Sequence, residues 1–411
     1  MTEQGAASRT AGLAIAGLQL LMTLGWTLYV IYLPQLAASV GIPASTVIFL
    51  LMLDQAVFTV TDFAMGVAAD RIAPVVGRLG RIVALVTALS CAAFLLLPFL
   101  AAGHAAKALF IGCALVWAAT SSALRAPPLM LLGKYAARPA VPWLASLALL
   151  GFGVVGAAAP YLTITLRTID PRLPFAVASA ALFLATFALS PIERRMATSA
   201  GLASAAPTML AAAERQFGPL PARAAAFAIA VVVLGIGFQI HFSIDSARLF
   251  LRYAKPPDLE TLMPVFWIGF NIAMFAAAPL VARFGGLAVM GAAGIAGGAF
   301  ALAATAANGL PVLVVAQFGA GAAWGIAMMS GVAAALAIGA PGNGGRVVGM
   351  MYSALALATF ARMSAVAGGL AGAPAYEALF AWAPTIFWLS AGPALLALGR
   401  RSADQASEPV Y

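Results

Sequence analysis

Few residues in this chain are of a kind that does chemistry, and most of those stand inside apolar runs. The stretch from Ile48 to Arg81 carries Asp54 and Asp62 within a run long enough to cross a membrane, then ends in Asp70, Arg71, Arg78 and Arg81. A carboxylate at the bilayer centre costs about 2.5–3.5 kcal/mol on insertion scales, so two in one helix call for a path that solute and ions can follow. Arg125 lies in the fourth apolar run at a depth similar to that of Asp62, which predicts an ion pair between them. Such a pair is a plain structural salt bridge, or it is a switch in which a proton on Asp62 releases Arg125 and changes helix packing. His241 is the only histidine within a span and titrates near neutrality when unperturbed, which suits proton coupling, although a hydrogen bond to a neighbouring helix would also account for it. Asp245 and Arg248 stand three residues apart, a spacing that pairs them along one helix face. Trp26, Tyr29, Gln239, Asn271, Trp324 and Tyr352 could line a cavity for a neutral or mildly polar organic solute, though single aromatics in membrane helices also serve for packing.

The elements that position these residues follow from composition. The chain has 411 residues, 63% hydrophobic and 9% charged, with a mean hydropathy of +1.01. Apolar runs of this length, repeated along the chain, predict transmembrane helices, because each backbone amide in lipid must be satisfied within its own segment. The expected class is an all-α membrane protein with twelve spans, near residues 11–37, 44–69, 82–102, 108–132, 141–166, 173–192, 224–250, 259–283, 286–308, 311–339, 347–372 and 376–399. The alternating strands of an outer-membrane barrel are absent. The first run is too long for a signal peptide. Cys91 and Cys113 both fall in apolar runs and imply no disulfide framework.

The net charge of +9 is topological rather than a nucleic-acid footprint. Most of the 22 Lys and Arg residues fall in the loops of one face. Lys107, Arg167, Arg172, Arg252 and Lys255 fall on the other face, and Arg125, Arg248 and Arg362 lie within spans. This bias predicts a multi-pass protein of the cytoplasmic (inner) membrane with both termini cytoplasmic. The longest polar connection, 193–223, divides the chain into an N-terminal six-helix bundle (1–192) and a C-terminal one (224–411), and reads as a cytoplasmic linker.

The halves echo each other at one constant offset of 212 residues. Gly25, Tyr29 and Arg71 line up with Gly237, His241 and Arg283, the expected sign of a duplicated transporter. The copy is unequal, since Asp54, Asp62 and Asp70 fall on Phe266, Met274 and Ala282.

Gly66-x-x-x-Asp70-Arg71, followed by Gly80-Arg81, resembles the loop signature of the major facilitator superfamily, with extra residues around Pro74. The resemblance covers the whole chain and implies two six-helix bundles that work by alternating access. It implies for Gly66, Asp70, Arg71 and Arg81 the role of a latch that holds one conformation at the cytoplasmic side. It also implies that the second and eleventh spans face each other across the seam between halves, so Asp54 and Arg362 are expected to pair there. A narrower resemblance is to the sugar–cation symporters of the melibiose-permease type. Asp62-Phe-Ala-Met-Gly66 is similar to that branch's second-helix motif, and Trp117 to Pro127 to its fourth-helix segment. Arg362 stands where the branch has a lysine. The branch's other two carboxylates would fall at Phe58 and Arg125, which leaves too few oxygens for sodium and points to protons.

Gly151-Phe-Gly153-Val-Val-Gly156 matches a dinucleotide fingerprint by spelling alone. No strand precedes it, and its small residues suit close helix approach instead. No nucleophile–base or metal-ligand spacing is present, and no ATP-binding loop, so neither an enzyme, a bound metal or cofactor, nor direct ATP drive is expected. The sequence therefore predicts a monomeric secondary transporter of a small organic solute, with proton symport and efflux by antiport both open. The alternative is a non-transporting receptor or assembly factor on a degenerate transporter scaffold, motivated by the acids missing from the second half.

Overall fold

A computed structural model describes residues 3–72, 78–122, 125–135, 140–187, 191, 194, 220, 222–339 and 342–407. Twelve apolar segments follow one another: α1 (Gly12–Ser39), α2 (Ala44–Ile72), α3 (Arg81–Ala102), α4 (Lys107–Met130), α5 (Val141–Leu166), α6 (Arg172–Phe187), α7 (Ala222–Phe250), α8 (Pro256–Phe284), α9 (Gly286–Thr305), α10 (Leu310–Ile338), α11 (Gly344–Ala367) and α12 (Pro374–Arg400). Eleven of them are long and apolar enough to cross a membrane, and α6 is shorter. The chain is a multi-pass membrane protein. Leu85 is 72% exposed and Val60 is 68% exposed on the outer surface, where hydrocarbon rather than water satisfies them. Most of the 193–223 connection lies outside the described residues.

The packing repeats itself six spans on. α1 packs on α5 and α6 as α7 packs on α11 and α12. α3 packs on α4 and α6 as α9 packs on α10 and α12, and α2 meets α4 as α8 meets α10. The same correspondence holds between the halves, where α2 lies along α11 and α5 along α8. The aromatic interior repeats it as well. Trp26 of α1 stacks on Trp117 of α4 at 5.9 Å, and Phe238, its counterpart in α7, stacks on Trp324 of α10 at 4.4 Å. Two six-helix bundles thus meet along two antiparallel helix pairs.

Small residues set how closely those pairs approach. A Cβ on Gly66 would lie 2.2 Å from the Gly345 carbonyl oxygen, and one on Gly349 would lie 2.4 Å from the Asp62 carbonyl oxygen. Along α5, a Cβ on Gly151 would meet the Leu20 backbone at 2.5 Å, and one on Gly153 would meet Asn271 at 2.3 Å. The apparent dinucleotide motif is therefore a packing surface against α1 and α8.

Two spans depart from the continuous helices that the sequence predicts. α4 is helical over Lys107–Ser121 and again over Ala126–Tyr135, with Arg125 in a turn whose N–H donates to Ser122 O. Pro127 and Pro128 have no N–H to give and open the second segment, as proline does at a helix start. In α7, His241–Asp245 form a π-helical turn before Ser246–Phe250 resume the α-helix. Asp245, at the end of that turn, makes no direct salt bridge to Arg248 three residues on, although the two charges remain close enough to interact. Arg248 instead donates to the Ala371 carbonyl.

Candidate functional site

Asp62 and Arg125 meet on the seam. Arg125 Nη1 donates to Asp62 Oδ2 at 2.6 Å, with Asp62 fully buried and the arginine side chain 23% exposed. The guanidinium lies 4.2 Å from the centroid of the Phe58 ring beneath it, and 5.9 Å from that of Tyr352 on α11. Asp62 Oδ1 is buried without a partner. The pair belongs to the N-terminal half, yet the backbone of Asp62 abuts Gly349 and the cation faces Tyr352, both of the C-terminal half.

Asp54 and Arg362 do not pair, contrary to the expectation. Asp54 is buried and accepts a hydrogen bond from the Tyr29 hydroxyl at 2.9 Å. Arg362 Nε donates to Gln239 Oε1 at 3.4 Å. Contacts along the antiparallel helices, such as Gly66 with Gly345 and Phe58 with Ala356, bring Asp54 level with Thr359 and leave Arg362 about one turn beyond. Each charged group is drawn back into its own bundle by a neutral partner on the first helix of that half.

Asp70 caps the start of α11 from across the seam. Its Oδ1 accepts the N–H of Gly345 and its Oδ2 the N–H of Arg346, each at 2.7 Å. A carboxylate at a helix N-terminus meets unsatisfied amides and the positive end of the helix dipole together. Arg71 and Arg81 are exposed at the same end. On the other seam, Ser146 Oγ donates to Met274 O at 3.2 Å. An even number of crossings places both chain termini at one end of the bundle, and these hydrogen bonds between halves lie toward that terminal end.

The remaining candidates divide. His241 is buried and bonded through Nε2 to Gln317 Oε1 at 3.1 Å, in a cluster that Ser246 joins at 3.2 Å. Trp324 is buried between Phe238 and Trp388, its Nε1 unpartnered. Asn271 donates to Trp267 O in its own helix, and its Oδ1 is buried at the α5–α8 seam without a partner. Gln239 donates to Thr359 Oγ1 at 2.9 Å and accepts from Ser243 at 3.3 Å. Unpartnered buried polar atoms are uncommon in proteins, and here Asp62 Oδ1 and Asn271 Oδ1 lie on the two seams.

Sequence reasoning passed over Gln317, the Phe58 platform and the amides at the start of α11. Gly345-x-x-x-Gly349 is the close-approach motif that would have supported, from the residues themselves, the facing of α2 and α11 that the family resemblance implied.

No family model matches the sequence, and no curated protein does. Solved structures match it over nearly its whole length. The human organic anion transporter MFSD10 superposes with a TM-score of 0.70 at 17% identity, covering 95% of this chain and 99% of that one. The proton:xylose symporter XylE, solved bound to 6-bromo-6-deoxy-D-glucose, gives 0.69 at 14% identity, covering 95% of each chain. The E. coli fucose:proton symporter FucP gives 0.64 at 14% identity, covering 96% of this chain and 99% of that one. At these identities the likeness is one of fold, and the fold is that of the major facilitator superfamily.

Proposed function

We propose that this chain is a secondary active transporter that carries a small organic solute across the cytoplasmic membrane by alternating access, coupled to protons. The observation that carries this reading is the Asp62–Arg125 pair, buried in a membrane bundle and set against the opposite half at Gly349 and Tyr352. Charge so placed is costly for a scaffold with only a structural task. A proton on Asp62 frees Arg125 and loosens the contact on which the two halves turn. The unequal grip of the halves supports alternating access, since the terminal end is held by Asp70 and Ser146. The charge bias of the loops assigns that end to the cytoplasm.

Sodium is disfavoured as the coupling ion, because the guanidinium of Arg125 occupies the side of Asp62 where a cation would sit. The similar structures include sugar–proton symporters and an organic anion transporter, so both solute classes and both directions of transport are consistent with the fold. The domain limits 1–192 and 224–411, with 193–223 as a linker, are part of this reading.

The test is solute uptake into proteoliposomes under an imposed pH gradient, comparing the native chain with Asp54→Asn and Asp62→Asn. Uptake driven by the gradient and lost in Asp62→Asn is the expected result. Flux that ignores the gradient and is unchanged in both variants removes proton coupling through these acids. Absence of flux across a broad solute panel favours the receptor alternative.

A further inference from the structure

Arg362 is a cation without an anion. Among the described residues its one hydrogen bond is the long contact from Nε to Gln239 Oε1, and it has no acidic partner, whereas Arg125 is paired with Asp62. Its two Nη atoms have no hydrogen-bond partner among the described residues, and they are not among the fully buried unpartnered atoms, so they keep some exposure. Its hydrogen-bond partner Gln239 and the groups bonded to that partner are polar and neutral. Gln239 holds Thr359 with its amide and accepts from Ser243, and Ser243 is exposed well inside a membrane span. Polar groups of α7 (Gln239, Ser243) and of α11 (Thr359, Arg362) thus converge at one place within the apolar spans. This polar cluster lies away from the terminal end, where the hydrogen bonds between the halves are found. The acid level with this site, Asp54, is turned the other way and is held by Tyr29.

We propose that the transported solute carries a carboxylate, and that Arg362 binds it through its paired Nη donors with Gln239 and Ser243 at the rim. The inference rests on the transporter reading above. A planar guanidinium with two parallel N–H groups free matches the two oxygens of a carboxylate. One cation neutralises one monoanion. A phosphate monoester would arrive with more charge than this site can balance, because Arg125 is committed to Asp62 and Arg346 lies at the terminal end beside Asp70. A neutral sugar would leave Arg362 as uncompensated as it is now.

The test uses the native full chain in proteoliposomes, with no variant needed for the first arm. Phenylglyoxal modifies accessible arginines, and peptide mass spectrometry reads the modification at Arg362 and at Arg125 separately. Gluconate, lactate and hippurate are compared with their neutral counterparts glucitol, propane-1,2-diol and hippuramide, and uptake of each is followed in parallel. Modification of Arg362 slowed at least tenfold by carboxylates and not by the neutral compounds is expected. In the second arm, Arg362→Gln should raise the carboxylate KM at least tenfold, and Arg362→Lys should restore part of it. An Arg362 that never reacts, or that neutral compounds protect as well as carboxylates, overturns the inference. Uptake of glucitol without gluconate also overturns it and leaves the transporter reading standing. Protection by carboxylates with no flux of any compound keeps Arg362 as a binding site and removes transport.

Discussion

Asp70→Ala perturbs a contact that joins a side chain of one half to the backbone of the other at a helix terminus. The native carboxylate accepts two amide hydrogen bonds at 2.7 Å and is buried. Hydrogen bonds to a charged group contribute about 1.5–3 kcal/mol each. The amides of α11 can be hydrated once the seam opens, so the lower end applies and the pair is worth about 3 kcal/mol to the closed terminal end. At 1.4 kcal/mol per tenfold, this shifts the equilibrium between closed and open by roughly 150-fold. An end that is closed in ~99% of native molecules would then be closed in fewer than half. The assay is double electron–electron resonance between spin labels at Leu85→Cys on α3 and Phe284→Cys on α8, in a background without Cys91 and Cys113. Both label sites are exposed, on opposite halves at the terminal end. Asp70→Ala should add a longer distance population that rivals the native one. A folded variant with the native distance distribution would refute the view that Asp70 holds the seam shut.

Other outcomes follow from the same geometry. Arg125→Ala leaves Asp62 buried and uncompensated, at a cost of about 3–5 kcal/mol, whereas the double change Asp62→Leu with Arg125→Met should recover most of the unfolding midpoint and no transport. Gly66→Ala puts a methyl group 2.2 Å from the Gly345 carbonyl, and overpacking of this kind costs about 1–3 kcal/mol. It should lower thermal stability and populate the open terminal end in the same resonance experiment. Gln317→Leu takes from His241 its side-chain hydrogen bond and should cost about 1–3 kcal/mol, measured as a lower unfolding midpoint, with pH-driven uptake retained if His241 is structural.

Depth along a membrane helix can be read from sequence, and rotation about its axis cannot. That difference explains which residues the sequence placed well. Asp62 and Arg125 share a depth and have no nearer competitor, so depth sufficed, even though the break at Ser122–Arg125 was hidden from the apolar pattern. Asp54 and Arg362 also lie close in depth, but Tyr29 and Gln239 stand on adjacent helices and hold them apart, and neither partner is charged enough to announce itself. The twelve spans followed from apolar length, because lipid leaves the backbone little choice. The π turn at His241–Asp245 left no trace in composition, and Arg248, expected beside Asp245, has its hydrogen bond to the Ala371 carbonyl. Asp70 was singled out for its place in a loop signature, which implies pairing with arginines and with the ends of neighbouring helices; its described contacts are of the second kind, to the backbone amides of Gly345 and Arg346, and which helix end it meets was not in the sequence. Amides have no letter in a sequence.

The central claim is that the two bundles must part at the terminal end for a solute to cross. Ser146 and Met274 touch there from α5 and α8, so a disulfide between Ser146→Cys and Met274→Cys, in the cysteine-free background, would tie the halves together. With the crosslink confirmed by mass spectrometry, solute flux should stop under oxidising conditions and return when a reductant is added. Flux that continues at the native rate through the crosslinked protein would contradict the account.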